Sequence, residues 1–501
     1  MHNIKTYNAI APVGLARFSA NLYKVGAEVE QPDAMLLRSH KLGVDELPPS
    51  LRAIARAGAG TNNVPVEKCS ERGIVVFNTP GANANSVKEL VLTGLLLASR
   101  DVLGGINYVR SLSAIQDEGE LNTLVEGEKK RFKGRELVGK TLGVVGLGAI
   151  GSMVARAGLD LGMTVVGYDP ALSVDAAWRI PAEVERMENL PALFAKADYV
   201  TLHVPLLPAT EGMINDESLR AFKPGSVLLN FARQPIVDAT ALAHALENGQ
   251  LARYVADFPV PGLLEHDKVM LTPHLGASTL EAQEKVALQV AEQMADYLTK
   301  GAVTNALNMA SVSAEDAPIL RPYMRLGARL GSFLGQVEST GLKSVVIELD
   351  GRAAKLNADP IVASTLAGLL GPAMESVNMV NAAAVASSNG IAVSTIRHDR
   401  QCDYETLLRV TISHDGGERT IAGTLVGGDK PRIIEVQSIA VESDFPENLL
   451  YLRNYDKPGF IGDLGTLCGR HSLNIATFHL GRRDVGGEAI ALVEIDDALP
   501  A

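Results

Sequence analysis

A chain of 501 residues is too long for one hydrophobic core and predicts roughly three or four domains at about 150 residues each. Its 47% apolar and 21% charged residues are ordinary globular values, and a net charge of −12 with a pI near 5.4 argues against nucleic acid as a partner. Three scattered cysteines without metal spacing (Cys69, Cys402, Cys468), no signal architecture in MHNIKTYNAI and no apolar run longer than that near Val91–Ala98 predict a soluble, cytoplasmic protein with no membrane partner and no metal.

Residues 1–85 alternate short strands and helices: strands at Asp33–Leu37, Ile54–Ala57 and Ile74–Phe77, and a helix at Val64–Glu71. The strand ends carry polar loops, Arg38-Ser39, Gly58-Ala59-Gly60-Thr61-Asn62 and Pro80-Gly81-Ala82-Asn83. Ligands gather outside the carboxyl ends of strands in open α/β sheets, so these loops are candidates for binding. Ser86 is expected to cap a long apolar-periodic helix running past Asp101 into the next unit. Residues 113–140 are polar, and the cluster Lys129-Lys130-Arg131 reads as a solvated face, with a contact to a substrate phosphate as the alternative.

The passage TLGVVGLGAIGSMVARAGLDLGMTVVGYDP (141–170) reads strand, glycine turn, helix, strand, acid. Gly146 suits the tight turn, Gly148 a close approach of backbone to a pyrophosphate, and Gly151 the packing of helix on strand. A pyrophosphate there meets unpaired amides, those of Ala149 and Ile150 among them, at the positive end of a helix dipole. Asp169, ending the second strand, is placed to accept ribose hydroxyls and to repel a 2′-phosphate. No Arg or Lys follows until Arg179, so NAD is expected over NADP.

Further strand–helix repeats follow, with strands at Tyr199–Val204, Ser226–Phe231, Tyr254–Phe258 and Val269–Thr272. Their polar ends are His203-Val204-Pro205, Ala232-Arg233, Asp257 and Pro273-His274. Thr279 caps a helix to Lys300 that could return the chain to the first unit, two lobes then hinging on two helices. Beyond Gly301 come strands at Ser344–Leu349, Leu407–Ser413 and Thr420–Leu425, with no catalytic cluster. Residues 446–501 read β-α-β-β: strand Leu449–Arg453, the turn Asp456-Lys457-Pro458-Gly459, a helix to Arg470, a strand entered by Asn474, and the strand Glu488–Ile495.

Arg233 and His274 form the pair with chemistry. A hydride leaving a carbinol carbon needs a base for the hydroxyl proton, and imidazole titrates in the right range. An α-hydroxy acid also presents a carboxylate, which a guanidinium fork holds bidentately.

GLGAIG…YDP, NFARQPIVD, ADF and TPHLGAST together resemble the D-2-hydroxyacid dehydrogenases. Within them, RAGAGTNN, NTPGANANSVKEL and the carboxyl-terminal region resemble the long-form D-3-phosphoglycerate dehydrogenases. The resemblance covers essentially the whole chain and implies an α/β fold of two Rossmann-like lobes, an α+β intervening domain and a β-α-β-β ACT-like segment. The implied boundaries are 1–95 with 285–304 for substrate, 96–284 for NAD, then 305–445 and 446–501. It implies NAD-dependent oxidation of 3-phospho-D-glycerate to 3-phosphooxypyruvate, the entry to serine biosynthesis, by a homodimer or homotetramer. By the match Arg233 orients substrate, His274 is the acid/base, and Asp257 contacts the nicotinamide carboxamide. Arg38, Ser39, Asn83 and the Ala59-Gly60 amides fall where substrate is held. His203, Val204, Pro205 and Thr210 fall on the cofactor side, and Asn454, Asp456 and Asn474 resemble an L-serine effector site.

Three departures stand out. The family glutamate five residues after the nicotinamide-side aspartate is Gly262 here, with Glu265 the nearest substitute; a carboxylate there would raise the imidazole pKa. The ACT-like segment lacks its last helix and strand, which predicts impaired feedback. The basic anion site of some intervening domains is replaced by Ala440 and Asp444, leaving Arg432. The competing readings are a reductase of another 2-oxoacid, such as hydroxypyruvate or 2-oxoglutarate, and an NAD- and serine-sensing relative with weakened catalysis.

Overall fold

Strands of two to ten residues, most of them apolar, build four sheets in the computed structural model, which describes residues 1–7, 10–172, 174–338, 340–374, 376–398 and 404–498. Cys402 lies outside the described residues. The first sheet is parallel, with strands β1 (His2–Thr6), β2 (Tyr23–Gly26), β3 (Ala34–Leu37), β4 (Ala53–Arg56) and β5 (Val75–Phe77) in the order β2-β1-β3-β4-β5. All side chains of β3 and β5 are buried, as expected for parallel strands covered on both faces.

The second sheet is also parallel. It holds β6 (Thr141–Val145), β7 (Thr164–Tyr168), β8 (Glu185–Arg186), β9 (Tyr199–Leu202), β10 (Ser226–Asn230), β11 (Leu251–Ala256) and β12 (Val269–Leu271) in the order β12-β11-β10-β9-β6-β7-β8. Strand order reverses between β6 and β9, which makes the crevice above their carboxyl ends the topological switch point.

The third sheet is mixed and six-stranded: β13 (Leu342–Gly351), β14 (Ala392–His398), β15 (Thr406–His414), β16 (Gly417–Val426), β17 (Lys430–Val436) and β18 (Ile439–Ser443). Against it packs the helix Ala317–Val337, which carries Gly327, Gly331 and Gly335 at four-residue spacing toward the helix Ala358–Leu370. A Cβ added at Gly331 would stand 2.1 Å from the Thr365 carbonyl oxygen, and one at Gly335 2.1 Å from that of Leu369. The reciprocal Gly368 faces the Ala328 carbonyl at 2.2 Å, so the two backbones touch along this seam. The last sheet is antiparallel, β19 (Leu449–Tyr455), β21 (Glu488–Ile495) and β20 (Ile475–Arg482) in that order, with the helix Phe460–Arg470 over Ala491, Val493 and Ile495. Its β-α-β-β sequence is the expected one.

The chain divides into two compact units, residues 1–78 with 290–501, and residues 79–289. No helix among the described residues is long and apolar enough to cross a membrane.

Two local expectations fail, each for a visible reason. The helix after β5 spans Ala84–Ser99 with Asn83 at its N-cap, and Ser86 is buried inside it rather than capping it. That helix also stops before Asp101. Arg100 is extended, and the Asp101 carboxylate accepts the Gly104 amide at 3.1 Å to start a new helix, Val102–Ser111. Within the polar stretch 113–140 a further helix, Glu118–Glu128, is capped by Asp117. Thr279 does cap the helix Leu280–Lys300, by accepting the Ala282 amide at 3.2 Å.

Candidate active site

In the unit 79–289 the three glycines of the turn after β6 occupy distinct surroundings. Gly146 has φ +89, and a Cβ there would lie 2.7 Å from the His203 carbonyl oxygen, across the switch point. At Gly151 an added Cβ would meet the Gly146 carbonyl at 1.9 Å, so only glycine lets the helix Ala149–Asp160 start so close to its strand. Gly148, the N-cap, has nothing within 4 Å of its Cβ position. One glycine turns, one packs, and one leaves room at a helix amino end for a pyrophosphate. Ala149 and Ile150 are the first residues of that helix.

Asp169 follows β7, and its carboxylate accepts the Leu147 amide at 2.8 Å and the Ala171 amide at 3.0 Å. These bonds draw the acid against the glycine turn and leave acceptor capacity for ribose hydroxyls. His203 follows β9, with Nε2 2.9 Å from Thr201 Oγ1, and burial pushes its imidazole down to about 3. The ring is therefore uncharged at neutral pH. Val204 is half-buried and Pro205 exposed. The Thr210 hydroxyl is engaged within its own turn, donating to Pro205 O at 2.6 Å and accepting the Leu207 amide at 2.8 Å.

Arg233 lies three residues beyond the end of β10, half-buried, with Nη1 donating to Ala232 O at 2.6 Å. Burial lowers its guanidinium from the usual arginine range. His274 follows β12 in a left-handed conformation (φ +59), its ring edge-on to Phe258 with centroids 5.0 Å apart. Asp257 stands just past the end of β11 and is 2% exposed. Its Oδ1 accepts from Thr272 Oγ1 (2.6 Å) and the Leu275 amide (2.6 Å), and its Oδ2 from the Gly276 amide (2.7 Å).

The neighbouring loops converge on the same rim. A Cβ at Gly81 would touch Ala149 Cβ at 3.4 Å, bringing Asn83's loop to the glycine turn. One at Gly276 would touch Val87 at 3.3 Å, bringing the His274 loop to the helix Asn83 precedes. Gly262 has φ +83, is exposed, and has nothing within 4 Å of its Cβ position; Glu265 is exposed too. Lys129 and Arg131 pair with Glu126 and Glu128 on the exposed helix they follow, which is the solvated-face arrangement.

In the other unit, Arg38 and Ser39 follow β3, and Ala59 and Gly60 follow β4. Two asparagines from the same motifs, Asn63 and Asn78, brace these loops. Asn63 Nδ2 donates to the carbonyls of Arg38 (3.1 Å) and His40 (2.7 Å), and Asn78 Nδ2 donates to that of Ala59 (2.7 Å). Asn454 pairs in register with Ala489 at one end of β21, whereas Asn474 donates to Asp496 (2.7 Å) beyond the other. Seven residues of strand separate those ends, about 23 Å. Asp456 is held by Arg482 (2.6 Å) and the Gly486 amide (3.2 Å), and that amide and the guanidinium lower its pKa. One chain therefore does not gather the three effector candidates. Arg432, on β17, is paired at 3.0 Å with Asp444, just past β18, in keeping with the loss of the basic anion site read from the sequence.

The sheet order, the glycine turn and the Arg233 and His274 loops define an NAD-binding dehydrogenase: residues 105–276 match the D-isomer specific 2-hydroxyacid dehydrogenase, NAD binding domain. Residues 319–437 match the D-3-phosphoglycerate dehydrogenase intervening domain. A D-3-phosphoglycerate dehydrogenase of Synechocystis sp. is 35% identical over 94% of this chain and 84% of its own length. Those of Bacillus subtilis and Methanocaldococcus jannaschii are 33% and 34% identical over 94% of this chain and 88% and 89% of theirs. The chain belongs to the D-3-phosphoglycerate dehydrogenase family. Among solved structures, a glyoxylate reductase from Paecilomyes thermophila superposes with TM-score 0.53 and 25% identity over 61% of this chain and 98% of its own. The D-mandelate dehydrogenase of Rhodotorula graminis shares the fold (TM-score 0.53, 24% identity, 62% of this chain and 99% of its own). The cofactor of this family's dehydrogenase domain, NAD, fits the open space at Gly148 and the acid at Asp169.

Proposed function

We propose that this protein oxidises 3-phospho-D-glycerate to 3-phosphooxypyruvate with NAD, the entry step of L-serine biosynthesis. The carrying observation is that Arg233 and His274 stand on loops beyond the carboxyl ends of strands in the glycine-turn sheet, each loop tied from beneath by a buried polar side chain. Arg233 binds the substrate carboxylate in a fork and fixes the carbinol carbon. His274 takes the hydroxyl proton as the C–H bond breaks and returns it in the reverse reaction. NAD supplies the hydride acceptor. Asn83 contributes a polar group from its loop, and Arg38, Ser39 and the Ala59-Gly60 amides are by resemblance further substrate-binding residues, the two amides for the carboxylate. Ala149, Ile150, His203, Val204, Pro205 and Asp257 line or support the cofactor crevice. Thr210 supports it indirectly, by closing its turn.

The proposed assembly is a homo-oligomer in the cytoplasm. Support comes from the helix Val102–Ser111, whose Val102, Leu103, Ile106 and Val109 are 43–55% exposed, and from the buried thiols of Cys69 and Cys468. An L-serine effector bound through Asn454, Asp456 and Asn474 would need residues from two chains, given their separation.

The test is NADH formation from 3-phosphoglycerate, set against NADH consumption with hydroxypyruvate and 2-oxoglutarate, with and without L-serine. Turnover of 3-phosphoglycerate is expected, abolished by His274→Ala with NAD binding retained. Preference for an unphosphorylated acid would replace this reading with a 2-oxoacid reductase. NAD binding without turnover of any acid would replace it with a sensor.

A further inference from the structure

Strand β10 is buried along its whole length, and its last residue, Asn230, is a carboxamide with no exposure at all. A buried amide is costly unless its donors and acceptor are used, so where Asn230's bonds go is informative. Its Oδ1 accepts the Ala232 amide at 3.1 Å, and its Nδ2 donates to the Arg233 carbonyl at 2.8 Å and more weakly to Tyr254 Oη at 3.4 Å. The side chain thus grips the loop on both sides of the Ala232–Arg233 peptide. The carbonyl of that peptide, Ala232 O, is itself the acceptor of the Arg233 guanidinium. On the neighbouring strand end, Asp257 grips the His274 loop in the same manner, and the two are joined because the Asp257 amide donates to the Asn230 carbonyl at 3.2 Å.

We propose that Asn230 is a positioning residue for the substrate carboxylate, acting through Arg233 by clamping the backbone that aims its guanidinium. The proposal rests on the role given to Arg233 above. A bidentate fork tolerates little displacement, since both N–H groups must meet both oxygens at once. Displacing a reactant by about 1 Å can lower the rate on the order of 10²-fold. A turn that merely needed an amide would instead lose stability, and would treat substrate and NAD alike.

The experiment is a double-mutant cycle on the full-length enzyme with Asn230→Ala, Arg233→Ala and both, reading kcat and KM for 3-phosphoglycerate, the Kd of NADH and the Tm. Asn230→Ala is expected to lower kcat/KM about 10- to 100-fold, chiefly through KM, and to leave the NADH Kd within about twofold. In the Arg233→Ala background it should cost less than about a further twofold, because the group it aims is gone. The same fold loss in both backgrounds, or a parallel loss of NADH affinity, would overturn the proposal. If the alanine protein does not fold, Asn230→Thr, which keeps a polar group on a strand-compatible frame, takes its place in the same cycle. An inactive wild-type enzyme would overturn the reading of Arg233, and this proposal with it. An active wild type with independent losses overturns only the role of Asn230.

Discussion

The backbone carbonyl of Asp257 accepts the amide of His274 at 3.1 Å, and its carboxylate accepts the amides of the next two residues, Leu275 and Gly276. The imidazole is thereby carried on a left-handed residue, a conformation that most side chains avoid, held in place by one buried acid. Asp257→Asn keeps the shape but presents an N–H to an N–H on one side. It should lower kcat about 10- to 100-fold and cost roughly 1–3 kcal/mol of stability. Steady-state kinetics with denaturant unfolding checks this; unchanged kcat would mean the loop holds itself.

Gly148 separates folding from binding. With open space at its Cβ position and an ordinary negative φ (−67), Gly148→Val should leave the Tm within a degree or two while raising the Kd of NADH about tenfold or more. Titration of NADH fluorescence against thermal unfolding distinguishes the two. Equal loss of stability would mean the position packs against protein.

His203 gives a pH signature. Its imidazole is pushed from 6.5 down to about 3 in the folded chain, whereas the unfolded chain takes up the proton near 6.5. The unfolded state then binds more protons between those values, so His203 makes stability fall as pH drops from about 6.5 toward 3, by up to about 1.4 kcal/mol per pH unit, and adds no slope above. Unfolding free energies of wild type and His203→Asn across pH 4–8 should diverge only on the acid side. Parallel curves would refute the assignment.

Position 262 is a left-handed, exposed turn. Any L-residue there is strained, so Gly262→Ala should cost about 1 kcal/mol, a Tm loss of about 2–4 °C, with kcat unaffected. Gly262→Glu should show the same loss. A stabilised Gly262→Glu protein would indicate that the carboxylate has found a partner. Unfolding scans of both variants decide between these outcomes.

The candidate rim is legible in the sequence because its signals are local. A glycine turn after an apolar run, an acid at the next strand end, and Arg and His just past two further strands all announce themselves within a few residues. The braces were not legible. Asn63, Asn78 and Asn230 lie inside the family-like motifs without a role there; only the fold shows that their amides reach back to the loops bearing Arg38, Ala59 and Arg233. Asp257 was assigned to the cofactor by resemblance, and its carboxylate proves to be bonded to the His274 loop. Ser86 does not cap the helix because Asn83, three residues earlier, stands at the N-cap position. The helix ends earlier than expected because Arg100 breaks the backbone, although apolar spacing continues through Val102 and Ile106. The effector candidates share one segment in sequence, but an antiparallel strand places its two ends far apart.

The glycine seam between the helices Ala317–Val337 and Ala358–Leu370 has a mechanical meaning. With carbonyls seated about 2 Å from where Cβ atoms would be, sliding either helix along the other would carry a residue that bears a Cβ toward a place that only glycine fits. Shear between these two helices is therefore blocked, and any displacement that reaches this domain must carry both helices together, as a lever rather than a ratchet.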